Sequence, residues 1–232
     1  AAAYNNLADT YRNKKQLEQS EICYKKAIEL NSNYFEAYNN LAVTLRDMGK
    51  LEESENNYKK AIELNPKYFE AYSNLGITLR EMGRLEDSKN SYKTSIRLNP
   101  DYAEGYFNLG VTLRDLGNLE DSKTNYEKAI SIKPNYPEAY NNLGVVFREI
   151  GNLDKSEYSY KKAINLKPDY ADAYNNLSFT LLLKNDFKKA YDFSEWRWST
   201  EHNIGKKFIT TKPLWNGESG KRVLAWKEQG IG

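Results

Sequence analysis

Tyrosine recurs along this chain at intervals of 34 residues, and this period constrains the fold more than any other feature. Three tyrosine series with that interval contain 16 of the 19 tyrosines. Self-similarity with a period of about 20 to 50 residues is typical of repeat proteins, in which each small unit packs mainly against its neighbours. The period therefore argues against one large core. It predicts five repeats, a divergent sixth repeat and a tail, with the ranges 1–34, 35–68, 69–102, 103–136, 137–170, 171–204 and 205–232.

Within each repeat, apolar or small residues are spaced as on two amphipathic helices. They occupy positions 3, 4, 7, 8 and 11, and then positions 17, 20, 24, 27, 28 and 30. This spacing predicts two helices per repeat, named helix A and helix B here. Glycine at position 15 and proline at position 32 predict the helix ends, because glycine accepts a left-handed backbone and proline cannot continue a helix. These residues are Gly49, Gly83, Gly117 and Gly151, and Pro66, Pro100, Pro134 and Pro168.

The repeat resembles the tetratricopeptide repeat family. The residues that match the family pattern are Tyr38 at position 4, Leu75 and Gly76 at positions 7 and 8, Tyr58 at position 24, Ala61 at position 27 and Pro66 at position 32. The resemblance implies an all-α fold, a right-handed superhelical solenoid of antiparallel helix pairs whose concave surface binds peptides. One departure is serine instead of alanine at position 20. Serine is nearly as small, so the helices should still cross closely.

The composition argues against several classes of function. The 34 basic and 32 acidic residues leave a net charge of +2, which argues against general nucleic-acid binding. No apolar run of about 18 residues is present, so we expect no membrane span, and no signal peptide is visible. Cys23 and His202 are each the single residue of their type, which excludes an internal disulfide and a Cys/His zinc site. We expect no cofactor and a cytoplasmic protein.

The tyrosines are predicted to be structural. Positions 4 and 24 fall on the packed faces of helices A and B, and position 34 lies at the link to the next repeat. Tyrosine suits half-buried sites because its hydroxyl can reach water or a carbonyl group. A role of these rings in base stacking or in a ligand cage is therefore the less favoured interpretation.

A second stripe of helix A, at positions 2, 5, 6, 9, 12 and 13, points away from the seam between helices A and B and is named the groove face here. Position 6 is asparagine in every repeat: Asn6, Asn40, Asn74, Asn108, Asn142 and Asn176. Position 12 is arginine in five: Arg12, Arg46, Arg80, Arg114 and Arg148. Position 2 is acidic from the second repeat onward, at Glu36, Glu70, Glu104, Glu138 and Asp172, and position 13 is acidic at Asp47, Glu81, Asp115 and Glu149.

We interpret the six asparagines and Arg46, Arg80, Arg114 and Arg148 as candidate peptide-binding residues. Asparagine inside a helix costs up to about 0.7 kcal/mol relative to alanine, and its amide can both donate to and accept from a peptide backbone. A similar asparagine ladder lines the repeats of O-GlcNAc transferase. The alternative is that each asparagine bonds a neighbouring repeat or water. The arginines could bind ligand carboxylates or phosphates, or pair with the acids at position 13 of adjacent repeats, and the pairing is the favoured resting state.

The sixth repeat and the tail break the pattern. Leu181, Leu182 and Leu183 stand at positions 11 to 13, and apolar residues on the groove side imply a cover, for which the tail is the nearest candidate. The segments EWRW, PLWNGE and GKRVLAWKEQGIG resemble the junction in bacterial proteins that fuse these repeats to a glycosyltransferase-like domain. The tail is interpreted as the start of a truncated α/β domain or as a cap of the solenoid.

Three functions follow as predictions. The first is a scaffold that binds an extended peptide or a protein partner in its groove, since no catalytic set of residues occurs in the repeats. The second is the substrate-recruiting arm of a larger glycosyltransferase-like enzyme whose catalytic domain lies outside this chain. The third is self-assembly, a homo-oligomer formed by end-to-end stacking.

Overall fold

The computed structural model describes residues 1–194, which form twelve helices and no strand. The A helices are α1 (Ala2–Asn13), α3 (Phe35–Asp47), α5 (Phe69–Glu81), α7 (Ala103–Asp115), α9 (Pro137–Glu149) and α11 (Ala171–Leu183). The B helices are α2 (Leu17–Leu30), α4 (Leu51–Leu64), α6 (Leu85–Leu98), α8 (Leu119–Ile132), α10 (Leu153–Leu166) and α12 (Phe187–Ser194). The predicted all-α array of two helices per repeat is confirmed.

The chain divides into two compact units, which are described separately. The N-terminal unit, residues 1–132, contains α1 to α8, and the C-terminal unit begins at residue 133 and contains α9 to α12. In the N-terminal unit each A helix packs against its own B helix, and α3, α5 and α7 also pack against the preceding B helix and the preceding A helix. Successive B helices, within the helices described, do not contact each other. The A helices are therefore closer together, and their free face is the concave side of the unit.

The turn between helices A and B is a left-handed helix end. Gly49 has φ +75°, its N–H donates to the carbonyl oxygen of Arg46 at 2.8 Å, and the N–H of Lys50 donates to that of Leu45 at 2.9 Å. This pair of bonds satisfies carbonyl groups that the end of a helix leaves free. Asn185 stands at the same position of the sixth repeat and also has a positive φ, of 60°. The glycine of position 15 thus has the role that the sequence predicts.

The tyrosines of position 24 form the centre of the first five repeats and are fully buried: Tyr24, Tyr58, Tyr92, Tyr126 and Tyr160. The small residue at position 8 allows the ring to approach the backbone of helix A. A Cβ atom on Gly76 would lie 2.8 Å from the ring of Tyr92, well inside normal contact. The tyrosine at position 34 of the second repeat packs edge-to-face against another ring. In the pair of Tyr68 and Phe35 the ring centroids are 5.0 Å apart and the planes are 78° to each other. The structural role predicted for these tyrosines agrees with this packing.

Serine at position 20 also forms hydrogen bonds between helices. The hydroxyl of Ser54 donates to the carbonyl oxygen of Ala42 at 2.8 Å and lies 3.4 Å from the hydroxyl of Thr78 in the next repeat. The same contacts recur at Ser20 and Ser88. One buried hydroxyl therefore joins helix B to its own helix A and to the following one.

The sixth repeat reverses this bond. Its position 8 is serine and its position 20 is alanine, and the hydroxyl of Ser178 donates to the carbonyl oxygen of Ala190 at 2.7 Å. The donor has moved from helix B to helix A, but the same two helices remain joined. The divergent sequence of this repeat thus retains the hydrogen bond between its helices.

Candidate functional site

The asparagines of position 6 lie midway along the A helices, on the concave side of each unit. Asn6 is exposed, and the other five are half-buried. In the N-terminal unit the side-chain amide of Asn40 donates to Asn5 Oδ1 at 3.4 Å, and that of Asn74 donates to Asn39 Oδ1 at 3.1 Å. In the C-terminal unit Asn176 donates to Asn141 Oδ1 at 3.1 Å. These asparagines therefore bond the preceding repeat, as the alternative interpretation of the row foresaw.

The partner in these bonds is position 5, which corrects one expectation. The spacing placed position 5 on the groove face, but Asn5, Asn39, Ser73 and Asn141 are buried. The physical reason is that the A helix of the next repeat covers this position, and at Asn5, Asn39 and Asn141 its asparagine also supplies a donor. Position 5 is thus part of the contact between repeats.

Asn108 differs from Asn40, Asn74 and Asn176. The residue at position 5 before it is Ser73, and no hydrogen bond joins the amide of Asn108 to another side chain or backbone group in residues 1–194. Its own repeat carries Phe107 at position 5, whose ring lies 5.7 Å from that of Tyr126. The sequence signal for this site is the loss of asparagine at position 5 in two successive repeats, and sequence reasoning passed over it. The amide of Asn108 is therefore half-buried, and its donor and acceptor atoms are free.

The arginines of position 12 pair with nearby groups. Arg80 Nη1 lies 3.4 Å from Asp115 Oδ2 in the next repeat, and Arg114 Nη2 lies 3.7 Å from Asp115 Oδ1. Arg46 pairs with the adjacent Asp47 at 3.3 Å. In the C-terminal unit the guanidinium of Arg148 lies 5.2 Å from the ring centroid of Phe179. The arginine row is thus largely neutralised by position 13, but more often within one repeat than between repeats.

The acids of position 2 flank the tyrosines of position 34. Burial, together with the negative charges of Glu70 and Glu36, raises the pKa of the Tyr68 hydroxyl to about 12. In the C-terminal unit, burial and the charges of Glu138 and Asp172 raise the pKa of Tyr170 to about 12. Two successive position-2 acids therefore act on one tyrosine at the beginning of α5, and again at the beginning of α11.

The leucines of the sixth repeat separate into two environments. Leu181 was expected on the groove side, but it is buried in a core cluster with Tyr160, Leu177 and Ala190. The reason is that position 11 is a core position in repeats 2 to 5, where Leu45, Leu79, Leu113 and Phe147 are buried. Leu182 and Leu183 are exposed, as is Phe179. The predicted cover, the tail 205–232, lies outside the described residues and stays a prediction.

Residues 1–194 contain neither of two other kinds of site. No group of three or more His, Cys, Asp or Glu side chains in this part of the chain is arranged to hold a metal ion. None of the helices described there combines the length and the apolar character that crossing a bilayer requires. The unbonded amide of Asn108 makes the concave face of the N-terminal unit the candidate functional site.

Models of known protein families match most of the chain. Models of the tetratricopeptide repeat match residues 1–67, 34–101 and 91–124, and a TPR repeat model matches residues 112–151 and 144–184. The chain belongs to the tetratricopeptide repeat family. A search of curated protein sequences returned no match for this TPR protein.

Solved structures give the same fold. MamA is 25% identical, with a TM-score of 0.64, over 72% of this chain and 98% of MamA. YrrB, described as a TPR protein with an unusual peptide-binding site, is 23% identical, with a TM-score of 0.63, over 78% of this chain and 93% of YrrB. PilF of Pseudomonas aeruginosa is 18% identical, with a TM-score of 0.77, over 85% of this chain and 90% of PilF. At their low identity, YrrB and PilF support the TPR fold alone.

Proposed function

We propose that this TPR protein is a protein-interaction scaffold that binds an extended peptide along the concave face of its N-terminal unit. The observation that carries the proposal is the free amide of Asn108 on that face, since the equivalent amides of Asn40 and Asn74 are occupied by neighbouring repeats. A peptide backbone offers both a donor and an acceptor at every residue. The amide of Asn108 can therefore accept from one backbone N–H and donate to one backbone carbonyl.

The rest of the face supports such a ligand. Val43, Ile77 and Val111 occupy position 9 of three successive repeats and are half-buried there. They supply apolar surface beside the amides, which is the usual composition of a binding cleft. YrrB, which has this fold, is described as having a peptide-binding site. Peptide binding is thus consistent with both the chemistry of the face and the fold.

The test is selection of random 12-residue peptides on the full chain, followed by fluorescence anisotropy with a selected peptide. Loss of one hydrogen bond is worth about 1 kcal/mol, so Asn108→Ala should weaken binding about fivefold. The matched control is Asn90→Ala, the same substitution at an exposed site of helix α6. Control binding should equal that of the unchanged chain. If no peptide is enriched, or if both variants bind equally, the proposal is wrong.

The two other predicted functions keep their own tests. A substrate-recruiting arm depends on the tail motifs, which lie outside the described residues, and it is tested by reading the gene beyond Gly232 for a glycosyltransferase-like domain. Self-assembly by end-to-end stacking is tested by sedimentation at high concentration, where a strict monomer would contradict it. The cytoplasmic location also stays a prediction from the sequence.

A further inference from the structure

The groove face of repeats 2 to 4 carries an excess of negative charge. At positions 2, 12 and 13 these repeats have six acids, namely Glu36, Asp47, Glu70, Glu81, Glu104 and Asp115, and three arginines, namely Arg46, Arg80 and Arg114. The net charge of this set is −3, although the whole chain has a net charge of +2. The negative charge is therefore a local property of this face.

The arginines do not neutralise all of these acids. Arg46 pairs with Asp47, and both Arg80 and Arg114 pair with Asp115. In residues 1–194 no ion pair or hydrogen bond reaches the carboxylates of Glu36 and Glu70, although both residues are half-buried. Lys67, in the link before α5, is exposed and forms no ion pair with either. Two carboxylates thus remain available at the beginning of successive A helices.

The acids of position 2 have a structural benefit, since a negative charge near the start of a helix interacts favourably with the helix dipole. An acid at any site of the first turn gains this stabilisation. The helix dipole alone therefore does not explain why these acids lie beside Tyr68, where their charge disfavours ionisation of the tyrosine hydroxyl. A cationic ligand would gain from both carboxylates and from the electron-rich face of an aromatic ring.

We infer that the groove of the N-terminal unit selects an extended basic peptide, in which lysine or arginine recurs about every third residue. This inference depends on the proposed peptide binding and adds the chemical class of the ligand. The spacing follows from geometry. Packed helices lie about 8 to 10 Å apart, and an extended polyproline-like peptide rises about 3.1 Å per residue with three residues per turn. Every third side chain is therefore on one face and advances by about one repeat.

The elements of the groove then have separate functions. The carboxylates of Glu36 and Glu70 bind successive basic side chains, and the amide of Asn108 binds the peptide backbone further along. The apolar side chains Val43, Ile77 and Val111 contact the methylene groups of the ligand, which lysine and arginine present below their charged ends. Neutral and acidic peptides keep the backbone contact but lack the charge attraction.

The test uses four synthetic 15-residue peptides with a fluorescent label, measured by anisotropy on the full chain in about 50 mM salt. The first has Lys-Ser-Ser repeated five times. The second has the same composition with its five lysines in one block, the third has Gln for Lys, and the fourth has Glu for Lys. The first should bind at least fivefold more tightly than the second and tenfold more tightly than the third. The fourth should bind more weakly than the third.

Two variants identify the groove as the site. Glu36→Gln together with Glu70→Gln should weaken the spaced lysine peptide about tenfold and leave the glutamine peptide unchanged. The matched control is Glu52→Gln together with Glu86→Gln, which removes two exposed acids from the B helices α4 and α6. Equal binding of the lysine and glutamine peptides would refute the charge selection and leave peptide binding intact. A lysine preference that survives the groove variant would refute the assignment to this face, and no binding of any peptide would refute both proposals.

Discussion

The buried joint of each repeat and its groove face are both highly regular in sequence, but the structure gives the two regularities different causes. At the joint, Tyr92 is fully buried, and Ser88 bonds the carbonyl oxygen of Gly76 at 2.8 Å. On the groove face, asparagines such as Asn74 bond the preceding A helix, but Asn108 does not, although the same residue is retained there. Repetition at the joint is explained by packing in each of the first five repeats. Packing does not explain every asparagine of the groove face. Asn108, which it leaves unexplained, is where we expect a function.

The largest effect that separates the two regions is expected from removing a ring at the joint. Tyr92→Ala should lower the free energy of unfolding by about 3 to 5 kcal/mol, because it empties the volume of a fully buried aromatic side chain. The control is Tyr158→Ala, which removes a ring that is 61% exposed on helix α10. It should change stability by less than about 0.5 kcal/mol. Urea unfolding followed by circular dichroism measures both, and equal losses would show that the joint has no special role.

Whether a structural feature could be predicted from the sequence depends on how far apart in the chain the residues that determine it lie. The 34-residue period, the helix pairs and the glycine turns depend on local spacing, so they were predicted correctly, and Gly49 has the positive φ expected. The burial of the tyrosines at position 24 followed from the same amphipathic spacing. These features need only the geometry of a single helix and of its termination.

The features that were missed depend on contact between repeats. Thr78 is fully buried beside Ser54 of the preceding repeat, but a threonine at position 10 carries no sign of this in one helix. Position 5 was assigned to the groove because it lies at the border of two helix faces, and the neighbouring helix decides which face it joins. The pairing of Asn74 with Asn39 could be stated only as an alternative, since two amides 35 residues apart meet only after the repeats are stacked.

A smaller effect should separate two asparagines of the same row. Asn74→Ala removes the donor to Asn39, whose side chain is buried, and should lower stability by about 1 kcal/mol. Asn108→Ala breaks no bond among the described residues and replaces asparagine by a better helix former, so stability should stay equal or rise by up to about 0.7 kcal/mol. Urea midpoints of the two single variants measure the difference. If both variants are destabilised alike, the amide of Asn108 has a structural partner and the groove proposal loses its basis.

The smallest effect on stability, and the sharpest distinction between the two regions, should come from the charges of the groove face. Arg80 and Asp115 are 3.4 Å apart, with side chains 37% and 30% exposed, and ion pairs of this kind contribute about 0 to 1 kcal/mol. Arg80→Gln should therefore leave the urea midpoint almost unchanged. The variant makes the groove face more negative, so the peptide with lysine at every third residue should bind more tightly and with a steeper dependence on salt. A charge-matched control, Arg97→Gln on the exposed surface of helix α6, alters the net charge equally but should leave binding unchanged. If both variants strengthen binding equally, the attraction comes from the whole molecule, and the groove face has no share in selecting the ligand.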